Sequence, residues 1–194
     1  MSEAASVLRW PTPRAWAEAA SADMDAVLLD HAHLEKKAAA SAMSLVSAYP
    51  EHDLLVRRCV RLAREELQHF QQVHQLLVAR GLSLGRDAGD PYAKALLAEL
   101  RSPRDERLMD RLLVFSLIEA RSGERLALLG EVLGEGELRD FYTGLAKVES
   151  GHHRLFLELA EAYADPTAVA VRLEELAARE AEIAASLPVR ARLH

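Results

Sequence analysis

A single cysteine, Cys59, stands among 194 residues. One thiol excludes an intrachain disulfide framework and a thiolate metal cluster. Aromatic residues make up 5% of the chain, and Ala and Leu dominate over the β-branched types. The side chains that strands favour are therefore in short supply. No run approaches the roughly 18 apolar residues of a membrane span. The opening stretch "MSEAASVLRWPTPRAW" lacks the long apolar core of a signal peptide. These absences leave a soluble, cytoplasmic protein with no membrane contact as the expectation. Positive charge is also in deficit: 24 Lys and Arg face 30 Asp and Glu, for a net charge of −6. There is no general pull toward a polyanion, so such a partner would need a local basic patch.

Glycine and proline are missing where helices need them to be. Between Met24 and Arg80 there is no Gly, and Pro50 is the only Pro. That interval predicts two long helices broken at "AYPEHD". The stretch 81–91, "GLSLGRDAGDP", reads as a linker. "YAKALLAEL" then predicts a short helix. "SPRDE" predicts a helix start, with Ser102 as cap and Pro103 at the first helical position. That helix runs to about Leu133 and stops at "GEGE". Another continues to Ala164, and Asp165 caps a last helix that ends near Pro188. The chain thus reads as one all-α domain over 1–194. It has helical hairpins at about 24–80 and 104–164, a connection at 81–103, and a C-terminal helix at about 166–187.

Four helices carry acidic residues on faces that should be apolar. The second helix runs Leu55, Cys59, Leu62, then Glu66 and His69, then Val73 and Leu76. The fourth runs Leu138, Phe141, Leu145, then Glu149 and His152, then Phe156 and Leu159. Each breaks its stripe with Glu-x-x-His, and residues three apart are neighbours on one helix face. The first helix runs Leu28, His31, Glu35, Ala38, Ala42, Leu45. The third runs Leu112, Phe115, Glu119, Ser122, Leu126, Leu129. A single Glu-x-x-His is usually a solvated face, and a single Glu on a stripe is usually a boundary residue. Spacing separates this case from those. Glu35 and Glu66 lie nearly equal distances either side of Pro50, as do Glu119 and Glu149 about Gly134. Equal distance from a tight turn puts both members of a pair at one height, roughly 22 Å from the turn at ~1.5 Å rise per residue.

Two such hairpins, stacked, would gather four carboxylates and two imidazoles. Bare, those carboxylates would repel. Two divalent cations would cancel their charge. One Glu from each of two helices, and Glu-x-x-His from each of the other two, is the ligand pattern of ferritin-like four-helix bundles with two iron or manganese ions. The metal-ligand candidates are therefore Glu35, Glu66, His69, Glu119, Glu149 and His152. Iron or manganese suits the donor set, and zinc is compatible with it. Glu65, Glu124, His74 and His153 lie off the stripes. His31 lies on one, a turn before Glu35, and reads either as a support to the ligands or as a hydrogen-bonded core histidine. Gly123, Gly144 and Gly151 all fall near the same level. They fit either a close helix crossing, or room for a substrate or a locally distorted helix beside the metals.

The chain also resembles a known family, the tRNA methylthio-isopentenyladenosine hydroxylases (MiaE). The resemblance runs from about residue 8 to residue 164. It is carried by "PTPRAW", "DHAHLEKKAA", "EELQHFQQV", "LIEARSGERLALL" and "VESGHHRLF". It implies a ferritin-like di-iron monooxygenase with the same six ligands, Glu66 and Glu149 bridging, Glu35 and Glu119 terminal. Some family members carry an insertion between the first two helices that this chain lacks. The implied reaction is hydroxylation of the isopentenyl group of a modified adenosine in the tRNA anticodon loop. It uses dioxygen and two electrons from an external donor. A rubrerythrin-like peroxidase is the rival enzyme, but the Cys-x-x-Cys domain usual there is absent. A ferritin-like iron store and a metal-free helical binding module are rivals of other classes. Basic residues cluster at Arg57, Arg58, Arg61 and Arg64, at Lys36 and Lys37, and at Arg190 and Arg192. Trp10, Trp16 and Tyr92 could stack on a base or pack in the core.

Overall fold

The computed structural model describes residues 7–149 and 151–194. Regular structure among them is entirely helical: α1 (Arg14–Ala22), α2 (Met24–Ala48), α3 (Asp53–Ala79), α4 (Pro91–Leu97), α5 (Arg104–Val132), α6 (Glu137–Glu149), α7 (His152–Tyr163) and α8 (Pro166–Ser186). The chain divides into two compact units. One comprises residues 22–89 and 191–193, the other 1–21, 90–190 and 194.

The first unit is the α2–α3 hairpin. Asp23 caps α2, its carboxylate accepting from the Ala26 N–H at 3.1 Å. The helix ends at Tyr49, because a residue before proline is pushed out of the α region. The apolar faces meet through fully buried Leu28, Leu45, Leu55, Leu62 and Leu77. Burial of a leucine contributes roughly 1.5–3 kcal/mol, so this seam holds the hairpin. Arg80 at the end of α3 donates to Asp25 at the start of α2, tying the open ends.

The second unit contains α1 and α4–α8, with α5 packed against α6, α7 and α8. Asp90 caps α4 and Asp165 caps α8, each followed by Pro at the first turn. Three features differ from expectation. No element was expected before Met24, yet 14–22 is helical and buries Trp16, Ala17 and Ala20. Ser102 does not cap α5, which starts one residue later with Pro103 at the cap position and ψ 139°. The Arg101 N–H is held by the Asp110 carboxylate at 2.9 Å, which keeps the chain extended through Pro103. The expected continuous helix to Ala164 is instead two, α6 and α7, divided at Gly151. The Gly151 N–H bonds the Val148 carbonyl at 3.0 Å, a turn tighter than an α-helix. The Ser116 hydroxyl holds the His153 carbonyl at 2.8 Å and fixes where α7 begins. Glycine's low helix propensity makes this the weak point of the run.

Candidate metal centre

In the hairpin unit, Glu35 comes from α2, and Glu66 and His69 from α3. All three are buried, at 6%, 1% and 7% exposure. His69 Nδ1 lies 3.5 Å from Glu66 Oε2 and 3.7 Å from Glu35 Oε2. Each residue offers a ligand atom within 4.8 Å of the others. His31, fully buried, has its Nε2 2.6 Å from Glu35 Oε1. It is therefore a hydrogen-bonded core histidine whose partner is a candidate ligand, so both readings of it meet in one contact.

In the larger unit, Glu119 comes from the middle of α5, Glu149 ends α6 and His152 begins α7. They too are buried. His152 Nδ1 lies 2.7 Å from Glu149 Oε2, and the three ligand atoms again fall within 4.8 Å of one another. The helix break sits inside this Glu-x-x-His pair. Phe115 and Phe156, a turn before Glu119 and a turn after His152, pack edge to face at 5.5 Å.

Each triad fits one divalent cation. Two donor atoms bound to one ion at about 2.1 Å lie at most about 4.2 Å apart, so only small side-chain shifts are needed. Two carboxylates and a neutral imidazole supply two negative charges, which one such ion balances. Without compensation, burying those carboxylates would cost several kcal/mol.

The other sequence candidates fall elsewhere. Glu65 pairs with Arg61 on the surface, and His74 is exposed. Glu124 accepts from the Thr12 N–H and hydroxyl and from Arg121. Trp16 and Tyr92 are core residues, at 3% and 0% exposure. Gly144 faces open space, and one close helix approach occurs at Gly130, against Thr143. Among the basic clusters, Arg57, Arg61 and Lys37 pair with Asp53, Glu65 and Asp87.

Sequence reasoning missed a buried polar network in the larger unit. Arg121 is fully buried and donates to Glu180, Glu124, Thr12 Oγ1 and the Trp10 carbonyl. Tyr92 donates to the same Glu180 at 2.8 Å. Burial, reinforced by the Glu180 charge, pushes the Tyr92 phenol well above its usual range. Arg125, over the Trp16 ring at 5.0 Å, is pulled down to about 10 by burial. Thr12 and Trp16 lie in "PTPRAW" and Arg121, Glu124 and Arg125 in "IEARSGER", so those stretches, together with Glu180 of α8, clamp the N-terminal segment onto α5 and α8.

A family model described as tRNA-(MS[2]IO[6]A)-hydroxylase (MiaE) matches residues 1–194. A tRNA 2-(methylsulfanyl)-N(6)-isopentenyladenosine(37) hydroxylase of Pseudomonas putida is 42% identical over 184 residues, covering 95% of this chain and 89% of the relative. One from Salmonella typhimurium is 30% identical over 210 residues, covering 83% and 77%. Among solved structures, a Synechococcus protein with aldehyde deformylating oxygenase activity matches with TM-score 0.91 and 38% identity, covering 96% of this chain and 94% of that one. The fold class is accordingly all-α and ferritin-like, as the helix pattern predicted. No helix among the described residues is long and apolar enough to cross a membrane.

Proposed function

The chain belongs to the MiaE family of tRNA hydroxylases, and we propose that it hydroxylates the isopentenyl group of methylthio-isopentenyladenosine in the tRNA anticodon loop. Glu35, Glu66, His69, Glu119, Glu149 and His152 together hold two metal ions, preferably iron. The observation that carries this reading is the repeated triad: two carboxylates and one imidazole, buried, with ligand atoms within 4.8 Å, in each unit. Two divalent ions balance the four carboxylates, and oxygen-rich donors with few imidazoles suit iron.

Bound at these residues, the metal pair would supply reductive activation of dioxygen. The overall reaction balances as one C–H bond broken and one C–OH bond formed. The second oxygen atom leaves as water, using two protons and two electrons from an external donor. The chain's own residues hold and orient. His31 fixes the Glu35 carboxylate through its 2.6 Å contact. Only a flipped-out adenosine with its apolar tail needs to reach these buried groups, as single-stranded loop recognition allows. A tRNA substrate places the protein in the cytoplasm.

The test is anaerobic loading with ferrous iron, then incubation with tRNA carrying the unhydroxylated nucleoside, a chemical reductant and labelled dioxygen. Label should enter the nucleoside with the wild-type protein and vanish with Glu119→Ala. A metal-loaded protein that consumes dioxygen or peroxide but leaves that tRNA unchanged would move the assignment to a peroxidase.

A further inference from the structure

Asp90, His194 and Ser122 form a chain of contacts inside the larger unit. His194 Nδ1 lies 3.2 Å from Asp90 Oδ2, and its Nε2 lies 2.9 Å from Ser122 Oγ. The His194 and Asp90 side chains are 3% and 6% exposed. Asp90 spends its other oxygen, Oδ1, on the Ala93 N–H at 2.9 Å to cap α4, which fixes the carboxylate. The Tyr92 ring packs on the imidazole, with centroids 4.9 Å apart and planes tilted by 52°. An ionised carboxylate only accepts, so Nδ1 carries a proton. Nε2 then faces the Ser122 hydroxyl, which can both accept and donate.

The connectivity is that of a hydrolase triad, but Ser122 lies inside α5. Backbone N–H groups there are spent along the helix, so none is left to hold an oxyanion. Ser122 is therefore not a nucleophile. Its position on α5 gives it another use. It follows Glu119 by three residues, which sets the two on adjacent turns and about 60° apart around the helix. Glu119 is 8% exposed and the other five metal-ligand candidates are at most 7% exposed. Hydroxylation consumes two protons, and these must reach groups that bulk water barely touches. Arg121 and Arg125 of α5 cannot pass a proton on, because a guanidinium keeps its own. Glu124 is committed to Thr12 and Arg121. An imidazole, by contrast, can hold a proton on either ring nitrogen and hand it to a neighbour.

Resting on the hydroxylase reading above, we propose that His194 and Ser122 form a proton relay serving the Glu119 side of the metal-ligand candidates. The imidazolium gives its Nε2 proton to Ser122 Oγ as the Ser122 hydroxyl passes its own proton toward the oxygen atom that leaves as water. The neutral imidazole keeps its Nδ1 proton on Asp90 and regains the other from solvent between turnovers. No electron moves in this step. Asp90 and Tyr92 hold the ring so that Nε2 stays aimed at Ser122. His194 acts through Ser122, so it positions a proton and does not touch the reacting atoms.

The experiment has two arms, both on the full-length chain. In the first, nitrogen-15 histidine spectra of the metal-free protein, with His194 assigned by its loss in His194→Gln, should show Nδ1 protonated. Ser122→Ala should then shift the Nε2 resonance and leave Nδ1 in place. A bare Nδ1, or an Nε2 indifferent to Ser122→Ala, overturns the relay. In the second arm, iron-loaded protein turns over tRNA carrying the unhydroxylated nucleoside, in light and heavy water. Ser122→Ala and His194→Gln should each lower kcat at least about tenfold, with KM for tRNA and metal content unchanged. Both should release more hydrogen peroxide per dioxygen consumed and change the solvent isotope effect on kcat. Ser122→Thr keeps a hydroxyl and should restore kcat and coupling. Wild-type kcat and isotope effect in Ser122→Ala overturn the relay and leave the hydroxylase reading standing. So does a loss in His194→Gln matched by an equal loss of metal or of thermal stability, which would make the residue structural. A loaded wild-type protein that leaves this tRNA unchanged removes the hydroxylase reading and the relay with it.

Discussion

Arg121 and Glu180 form an ion pair in which neither side chain is exposed, with guanidinium Nε and Nη2 each 2.9 Å from a carboxylate oxygen. Burial works against the charge on Arg121, but Glu180, Tyr92 and Glu124 more than offset it, so its pKa is raised. The pair joins α5 to α8, and Tyr92 adds α4 through the same carboxylate. Removing one partner leaves a buried charge uncompensated, which costs about 3–5 kcal/mol. Glu180→Ala should therefore lower unfolding free energy by about that amount in urea titration. Glu180→Gln keeps one acceptor and should cost less. A loss below about 1 kcal/mol for Glu180→Ala would mean that water reaches Arg121.

Asp110 is a second such centre, with a different readout. Its buried carboxylate accepts from the Arg101 N–H and from the guanidinium groups of Arg101 and Arg172. Burial alone would raise its pKa, but these donors outweigh it and the value is lowered below 3.8. A carboxylate with a depressed folded pKa contributes stability that is present above its unfolded pKa. That stability is lost as pH falls through the folded value. Asp110→Asn should cost roughly 2 kcal/mol at pH 7, as for lost charged hydrogen bonds. The gap between variant and wild type should narrow below about pH 4. Urea midpoints at pH 7 and pH 3 decide it. An equal gap at both would show that packing, not charge, is at stake.

The helix pattern and the ligand candidates were legible because both rest on local spacing. Pro50 and the 81–90 linker punctuate the chain, and Glu35, Glu66, Glu119 and Glu149 break regular apolar stripes. The same test applied to α8 would have flagged Glu180, which interrupts Val169, Leu173, Leu176 and Ile183. Its partner is Arg121, 59 residues away, so it balances charge without a metal. A broken stripe therefore signals a buried carboxylate, and only the spacing of partners tells cation from guanidinium. The α6–α7 break was not legible, since a Gly in a helical period can equally be tolerated. It depends on Ser116 holding the His153 carbonyl. Stripe phase drifted by one residue in places: Ala39 and Tyr142 are buried where Ala38 and Phe141 were expected.

Gly130 provides a packing test. A Cβ there would lie 2.7 Å from Thr143 Oγ1 and 3.4 Å from Thr143 Cα and N. The hydroxyl can rotate away, but the backbone of α6 cannot. Gly130→Ala should cost about 1 kcal/mol, and Gly130→Val about 1–3 kcal/mol from overpacking. Adding Thr143→Ala to Gly130→Ala should recover most of the loss, because it removes the closest atom. Thermal unfolding of the two single variants and the double variant gives the coupling. Simple additivity would count against the contact.

The metal candidates yield the last expectation. Ferrous reconstitution without oxygen should bind close to two ions per chain, since each triad balances one divalent charge. Glu66→Ala and Glu149→Ala each remove a carboxylate that is at least 97% buried and should abolish full loading. Glu65→Ala removes only the surface partner of Arg61 and should load normally. His31→Leu touches the metals only through Glu35, so it should weaken metal affinity by about 10–100-fold while leaving the stoichiometry at saturation unchanged. Chelation should leave helical circular dichroism largely intact, because the Leu55–Leu62 and Leu112–Leu117 faces stay buried whether or not an ion is bound. One ion or none at saturation would overturn the paired-triad site. Loss of all helical signal on chelation would instead mean that the ions, not the apolar seams, hold the helices together.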